Sequence, residues 1–227
     1  YNDGSGTISS KGTSSALLAN YTYSSSQPHS VMATSYVDTG EPLPAATTGT
    51  LSYTYDGDGN MVMSVIGDVT TYYVGSHYEK RVEGATETVM KYYFNGATRI
   101  AVRENGTITW LFSDNIGSTT TTASAAGALQ DVVKYTAFGE IRDGSTSATD
   151  YQYTGQRSEE EIGLDYYVAR FYDPELGRFI SADTEISNPT STTSYDRYAY
   201  VNNNPINYND PSGKFTQKQI MKYFGVK

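Results

Sequence analysis

The segment YTYDGDGN, Tyr53 to Asn60, sets the strongest limit on what this chain can become. Asp56, Asp58 and Asn60 have the spacing of the first three ligands of a helix-flanked calcium loop. They are also the residues of a tight turn between two strands. A calcium loop needs Gly at its sixth position and a bidentate Glu at its twelfth. Counted from Asp56, those positions hold Met61 and Gly67. The flanks point the same way. Leu51, Tyr53 and Tyr55 alternate with Ser52 and Thr54, and Met61, Met63 and Val65 recur at every second position. Apolar residues at period two make strands with one buried face. The segment predicts a hairpin turn, with no metal and no cofactor.

The pattern recurs along the first 150 residues. Tyr21-Thr22-Tyr23, Tyr53-Thr54-Tyr55, Thr71-Tyr72-Tyr73, Lys91-Tyr92-Tyr93-Phe94 and Val132 to Phe138 read as strands. Turn pairs follow most of them: Asp56-Gly57, Asn95-Gly96, Asn105-Gly106, Phe138-Gly139 and Asp143-Gly144. Arg99 to Arg103 alternates charged and apolar residues, and Thr107 to Phe112 follows it. Asn105-Gly106 between them predicts a hairpin. The spacing of the tyrosine strands is irregular, as in a degenerate repeat. A tyrosine suits such strands because it buries a large ring while its hydroxyl reaches a partner.

Composition narrows the function classes. The chain has 22 Tyr among 227 residues, 16 Lys and Arg against 25 Asp and Glu, and a net charge of −9. Little in it would neutralise phosphates, so no nucleic-acid partner is expected. There is no Cys, hence no disulfide and no thiolate metal site. His29 and His77 lack ligand-like neighbours, which argues against a zinc site or a Ser-His-Asp triad. No apolar run has the length of a membrane span. The chain starts at Tyr1 without an initiator Met or a leader pattern, as expected of a fragment or a part of something longer.

From about Tyr151 the texture changes. Asp173-Pro174, Gly177-Arg178, Asn188-Pro189, Asn204-Pro205 and Asp210-Pro211 preclude long strands and predict a compact, turn-dominated cap. Asp173, Arg178, Asp196 and Arg197 carry charge in this aromatic, Asn-rich region, and Arg178 is expected to be buried and hydrogen-bonded. After Gly213, Thr216 could cap a short helix with Gln219 completing a capping box and Ile220, Met221 and Phe224 on one face.

Two sets of residues resemble a known family. Tyr53-x-Tyr55-Asp56-x-x-Gly59-Asn60 resembles the signature of the YD repeat. GLDYYVARFYDPELGRFISADT, Gly163 to Thr184, and DRYAYVNNNPINYNDPSG, Asp196 to Gly213, closely resemble the Rhs-repeat-associated core of Rhs and YD-repeat proteins. Tyr92-Tyr93-Phe94, Asp114 to Thr119, Phe138-Gly139-Glu140 and Tyr153 to Arg157 fit as well. The resemblance implies an all-β spiral of strands, part of a hollow shell, that ends in a turn-rich core plug. It implies three regions: a YD-repeat strand region over 1–150, the core over 151–213, and the start of a variable C-terminal extension over 214–227. Implied partners are other YD-repeat segments and a C-terminal toxin-type segment. The implied location is secreted or cell-surface.

In many bacterial members the core resembles an aspartyl self-protease. The match places the two catalytic aspartates on Asp183 and Asp210, with Arg178, Asp196 and Arg197 as supporting charges. Two carboxylates held close share a proton, so one can activate water while the other protonates the leaving group. Cutting is implied after Lys214, at the bond to Phe215, where the family usually carries Leu. An ammonium beside the dyad is expected to slow that reaction. Three functions follow as expectations: the end-piece of an encapsulating shell, a single-turnover self-protease, and an adhesion module.

Overall fold

The computed structural model describes residues 10–13, 16–23, 31–36, 49–184, 186 and 192–214, with side chains from residue 52 onward. The chain divides into two compact units, 1–89 and 90–227. The expected change of texture near Tyr151 falls inside the second. The candidate helix after Thr216, Phe215, and His29 lie outside the described residues.

The first unit is an antiparallel meander. Its strands are β1 (Ser10–Thr13), β2 (Ala16–Tyr23), β3 (Val31–Tyr36), β4 (Gly49–Tyr55), β5 (Met61–Ile66), β6 (Val69–Val74) and β7 (Tyr78–Glu83). Each pairs with the next. Alternation holds on β6 but only in part on β5, where Met63 and Val65, expected on the buried face with Met61, are half-buried and Ser64 is buried. Tyr53, Met61 and Tyr73 are buried, while Tyr72 and Val74 face out. Tyr73 places its hydroxyl 2.7 Å from Ser64 Oγ, so the buried phenol is satisfied.

The second unit continues the plan with β8 (Thr86–Asn95, which begins in the first unit), β9 (Thr98–Glu104), β10 (Thr107–Ser113), β11 (Thr119–Ser124), β12 (Leu129–Tyr135) and β13 (Ile141–Gly144). These also pair in sequence order. Asn105 and Gly106, both at positive φ, make the predicted two-residue turn between β9 and β10. Met90, Tyr92, Val102 and Leu111 bury one face of this sheet. Arg99 lies 3.4 Å above the Tyr151 ring and donates to Gly155 O at 3.3 Å, which ties the sheet to the turn-rich segment.

A five-residue turn recurs where the strands end. In Asp56–Asn60 the first N–H donates to the fifth carbonyl at 2.9 Å, and the Gly59 N–H returns to Asp56 O at 3.1 Å. The same two bonds close the turns 114–118, 124–128, 136–140 and 152–156, each with Gly in fourth place at positive φ. This is the turn in which a left-handed glycine ends the loop in a bulge. Asp56 Oδ1 accepts the amides of Asp58 and Asn60 at 3.0 and 2.8 Å. Asp114 Oδ1 accepts those of Ile116 and Ser118 at 3.0 and 2.8 Å. The Asp56 carboxylate thus organises the hairpin from within.

The cap is a small antiparallel sheet, β14 (Arg157–Glu159), β15 (Leu164–Tyr166), β16 (Phe171–Asp173) and β17 (Arg178–Phe179), followed by turns. Its core is aromatic: Tyr153, Tyr167, Tyr172, Phe179 and Tyr200 are almost fully buried together with Val201. Burying each ring contributes roughly 2 kcal/mol. The phenols also serve the loops. Tyr153 donates to Ala137 O, Tyr172 to Phe138 O and Tyr135 to Thr119 O, at 2.7 to 2.8 Å. Tyr153 and Tyr172 thus take up carbonyls of the 136–140 turn, and Tyr135 one at the start of β11. The described residues contain strands and short 3-10 turns and no α-helix.

Candidate functional site

The site is built on a tight reversal. Val168 and Ala169 join β15 to β16, closed by Tyr167 N–H to Arg170 O at 2.9 Å. Val168 sits at φ 60°, a costly conformation for a β-branched residue. The reversal drops Tyr167 into the aromatic core and brings Arg170 back beneath it. Arg170 is 5% exposed. Its guanidinium stacks on Phe179, 3.6 Å from the ring centroid.

Four groups meet that guanidinium. Nη2 lies 3.1 Å from Asp183 Oδ2 and 3.7 Å from Asp210 Oδ2. Nη1 donates to Arg197 O at 3.1 Å, and Nε donates to Gly213 O. Burial pushes the guanidinium pKa down, while the two carboxylates hold it up. A buried arginine survives only with such a full set of acceptors.

Each aspartate has its own anchor. Asp183 N–H donates to Arg197 O at 2.8 Å, and the Arg197 guanidinium returns to Asp183 O, Nε at 2.6 Å. Asp210 is buried, and its Oδ1 accepts the Ser212 amide and hydroxyl, both at 3.2 Å. Ser212 Oγ in turn accepts the Lys214 amide at 3.2 Å. Ala169 N–H donates to Ser212 O at 3.3 Å, lacing this segment to the 167–170 reversal. Gly213 has φ 68°, and a Cβ there would run into the Tyr167 carbonyl. Only glycine fits this close crossing.

The structure therefore brings Asp183, Asp210 and Arg197 together and sets Arg178 and Asp196 apart. The expectation that Arg178 is buried is overturned. Its side chain is half exposed, paired with Asp196 across 3.1 Å at the surface. Period-two alternation explains the error: Phe179 takes the inward position on β17, so Arg178 points out. Such an exposed pair contributes little. Asp173 is buried, but it caps its own turn, accepting the Glu175 and Leu176 amides at 3.0 Å. Lys214 is exposed, so its ammonium is not packed beside the carboxylates. The cation there is Arg170, which the sequence reading missed. The signal was present: a single Arg inside the aromatic run Tyr166 to Tyr172.

Among the described residues no group of acidic or histidine side chains is arranged to hold a metal, and no helix is long and apolar enough to cross a membrane. Residues 83–206 match the family described as Teneurin YD-shell. The chain belongs to the teneurin YD-shell family. The resemblance to YD-repeat proteins and the all-β fold are thereby borne out. Over 185 residues the chain is 32% identical to a tRNA3(Ser)-specific nuclease WapA of Bacillus spizizenii, covering 77% of this chain and 8% of that protein. It is 29% identical over 107 residues to double-stranded DNA deaminase toxin A of Burkholderia cenocepacia, covering 44% of this chain and 7% of that one. The crystal structure of TcdB2-TccC3 superposes with a TM-score of 0.71 at 17% identity, over 86% of this chain and 10% of that one. The chain thus spans about a tenth or less of the relatives it matches.

Proposed function

We propose that this chain is the end-piece of a YD-repeat shell, with residues 151–213 as the plug and the segment from 214 as the start of what the shell holds. The observation that carries this reading is the switch, within one unit, from a sequential strand ladder to a cap whose aromatic core takes up loop carbonyls. The relatives add support, since WapA and the deaminase are named for nuclease and toxin activities and the TcdB2-TccC3 fold matches. The reading places the protein outside the cell or at its surface, beside further YD-repeat segments and a toxin-type C-terminal segment. The test is protection. A protease-sensitive reporter fused after Lys227 in the full-length protein should survive digestion that destroys the free reporter. Digestion at the free rate would overturn the shell reading.

A second reading is favoured by Arg170. It holds both aspartates and the Gly213 carbonyl at once, the arrangement a hydrolytic self-cleavage near Lys214 would use. Asp183 would serve as base toward water and Asp210 as acid toward the leaving nitrogen. Arg170 keeps one fixed positive charge beside both carboxylates. Intact-mass spectrometry of wild type, Asp183→Asn and Asp210→Asn decides it. Cutting in wild type alone supports the protease. Equal cutting in all three chains, or none at any pH, removes it.

A further inference from the structure

Strands β11 and β12 separate before they end. Their ladder joins Ala123 to Leu129 and Thr121 to Val132 and goes no further. Thr119, the next residue of β11 that faces β12, has other partners. Its N–H donates to Gln152 O at 3.1 Å, and its carbonyl accepts the Tyr135 hydroxyl at 2.8 Å. The groups that would continue the ladder are thus taken, and a wedge opens between the strands. It forms a cleft of about 460 Å³, within the size of small-ligand sites. Much of its lining is apolar: Ile116, Val133, Ile206 and the rings of Tyr135 and Tyr153.

The charges at this cleft do not cancel. Lys134 lines it but is paired with Asp143 at 2.7 Å. Asp114 also lines it, and its Oδ1 is spent on the Ile116 and Ser118 amides. Among the described residues its Oδ2 has no hydrogen-bond or ion-pair partner. Burial pushes the phenols of Tyr135 and Tyr153 above their usual range, and the Asp114 charge adds to this at both. The field of the carboxylate therefore reaches the aromatic part of the cleft. We propose that the cleft binds a small organic ammonium, with the charged nitrogen on Asp114 Oδ2 and an aromatic or branched apolar body against Ile116, Val133 and Ile206. An anionic ligand would meet repulsion from Asp114, and a neutral one would forgo the ion pair. The site shares no residue with the Arg170 cluster and is independent of the shell and self-protease readings.

The test titrates the full chain, methyl-labelled at isoleucine, with phenethylammonium chloride and follows the methyl signals by NMR. Three further probes separate the parts of the ligand. Ethylammonium keeps the charge alone, phenethyl alcohol keeps the ring alone, and hydrocinnamate reverses the charge. Phenethylammonium should shift the Ile116 and Ile206 methyls to saturation and leave Ile141, exposed on β13, unmoved. Phenethyl alcohol and hydrocinnamate should bind at least about fivefold more weakly, the worth of a solvent-exposed ion pair. Ethylammonium should bind at least about tenfold more weakly, because burial of the ring is lost. Asp114→Asn keeps an Oδ1 acceptor for the turn and removes the charge. It should weaken phenethylammonium about fivefold and leave phenethyl alcohol unchanged. Ile206→Ala, at an exposed position, should weaken both. A loss shared by both probes in Asp114→Asn would make Asp114 a turn residue only and overturn the inference. So would shifts that reach Ile141 equally, or the absence of any saturable shift.

Discussion

Arg170 Nε donates to the carbonyl of Gly213, 43 residues further along the chain, while its Nη2 faces Asp183 and Asp210. One guanidinium thus fastens the last described segment to the small sheet of the cap. Removing it would take the guanidinium away from a buried Asp210. Arg170→Ala should cost about 3–5 kcal/mol, the usual penalty for breaking a buried ion pair. Arg170→Lys should recover only part of this, since an ammonium cannot span four acceptors in a plane. Urea unfolding followed by circular dichroism measures both. A loss within 0.5 kcal/mol for Arg170→Ala, about the size of a surface substitution, would refute the role.

Much of the ladder was legible because its signals are local. Alternation at Tyr53 and Met61, and Asn105-Gly106 between two apolar runs, specify strands and turns without long-range information. The five-residue turn was half legible: its glycines stood out, but its backbone bonds have no sequence signature. The site was less so. Asp183 and Asp210 were found by resemblance, whereas Arg170 matters through contacts with residues far away in sequence. Arg178 misled because charge near a turn says nothing about which face of a two-residue strand it occupies. Arg170 is the inward arginine because a costly reversal at Val168 turns the chain there.

Asp165 makes stability depend on pH. It lies on β15 opposite Ser158 and Tyr172 and is buried, with Oδ2 lacking a hydrogen-bond partner. Burial pushes its carboxyl up to about 8, Ser158 opposes this, and the charges of Asp173 and Glu159 add to it. The folded pKa therefore exceeds the unfolded one. The folded chain holds the proton more tightly, so this stability is fully present at about pH 4 and below and is lost as pH rises through about 8. Asp165→Asn removes the ionisable group. It should raise the thermal midpoint relative to wild type more at the alkaline end of that range than at the acidic end. A difference that does not change with pH would contradict this.

The DGDGN turn should be indifferent to calcium. Asp56 already spends its carboxylate on the Asp58 and Asn60 amides and on the Asn60 side chain, which holds its pKa down. Thermal midpoints in calcium and in chelator should coincide. A midpoint that climbs and then saturates with calcium would mean a ligand bound only to the folded state. Asp56→Ala should lower the midpoint in both buffers alike.

Two glycines in equivalent turns separate backbone strain from crowding. Gly127 and Gly139 both occupy fourth place in the five-residue turn, at φ 83° and 98°. Around Gly127 a Cβ would meet nothing within 4 Å. Gly127→Ala should therefore cost only the left-handed penalty, about 1 kcal/mol. At Gly139 the same Cβ would press into the ring of Tyr153, whose hydroxyl is fixed on Ala137 O and whose ring is buried in the cap core. That ring can give way only by disturbing Tyr172 and Tyr200, which pack against it. Overpacking a fixed core adds about 1–3 kcal/mol, so Gly139→Ala should cost clearly more than Gly127→Ala. Shrinking the obstacle should close the gap: in a Tyr153→Ala background the two glycine substitutions should cost the same. Equal costs in the wild-type background would mean that the Tyr153 ring is free to move and that the cap core is looser than its contacts indicate.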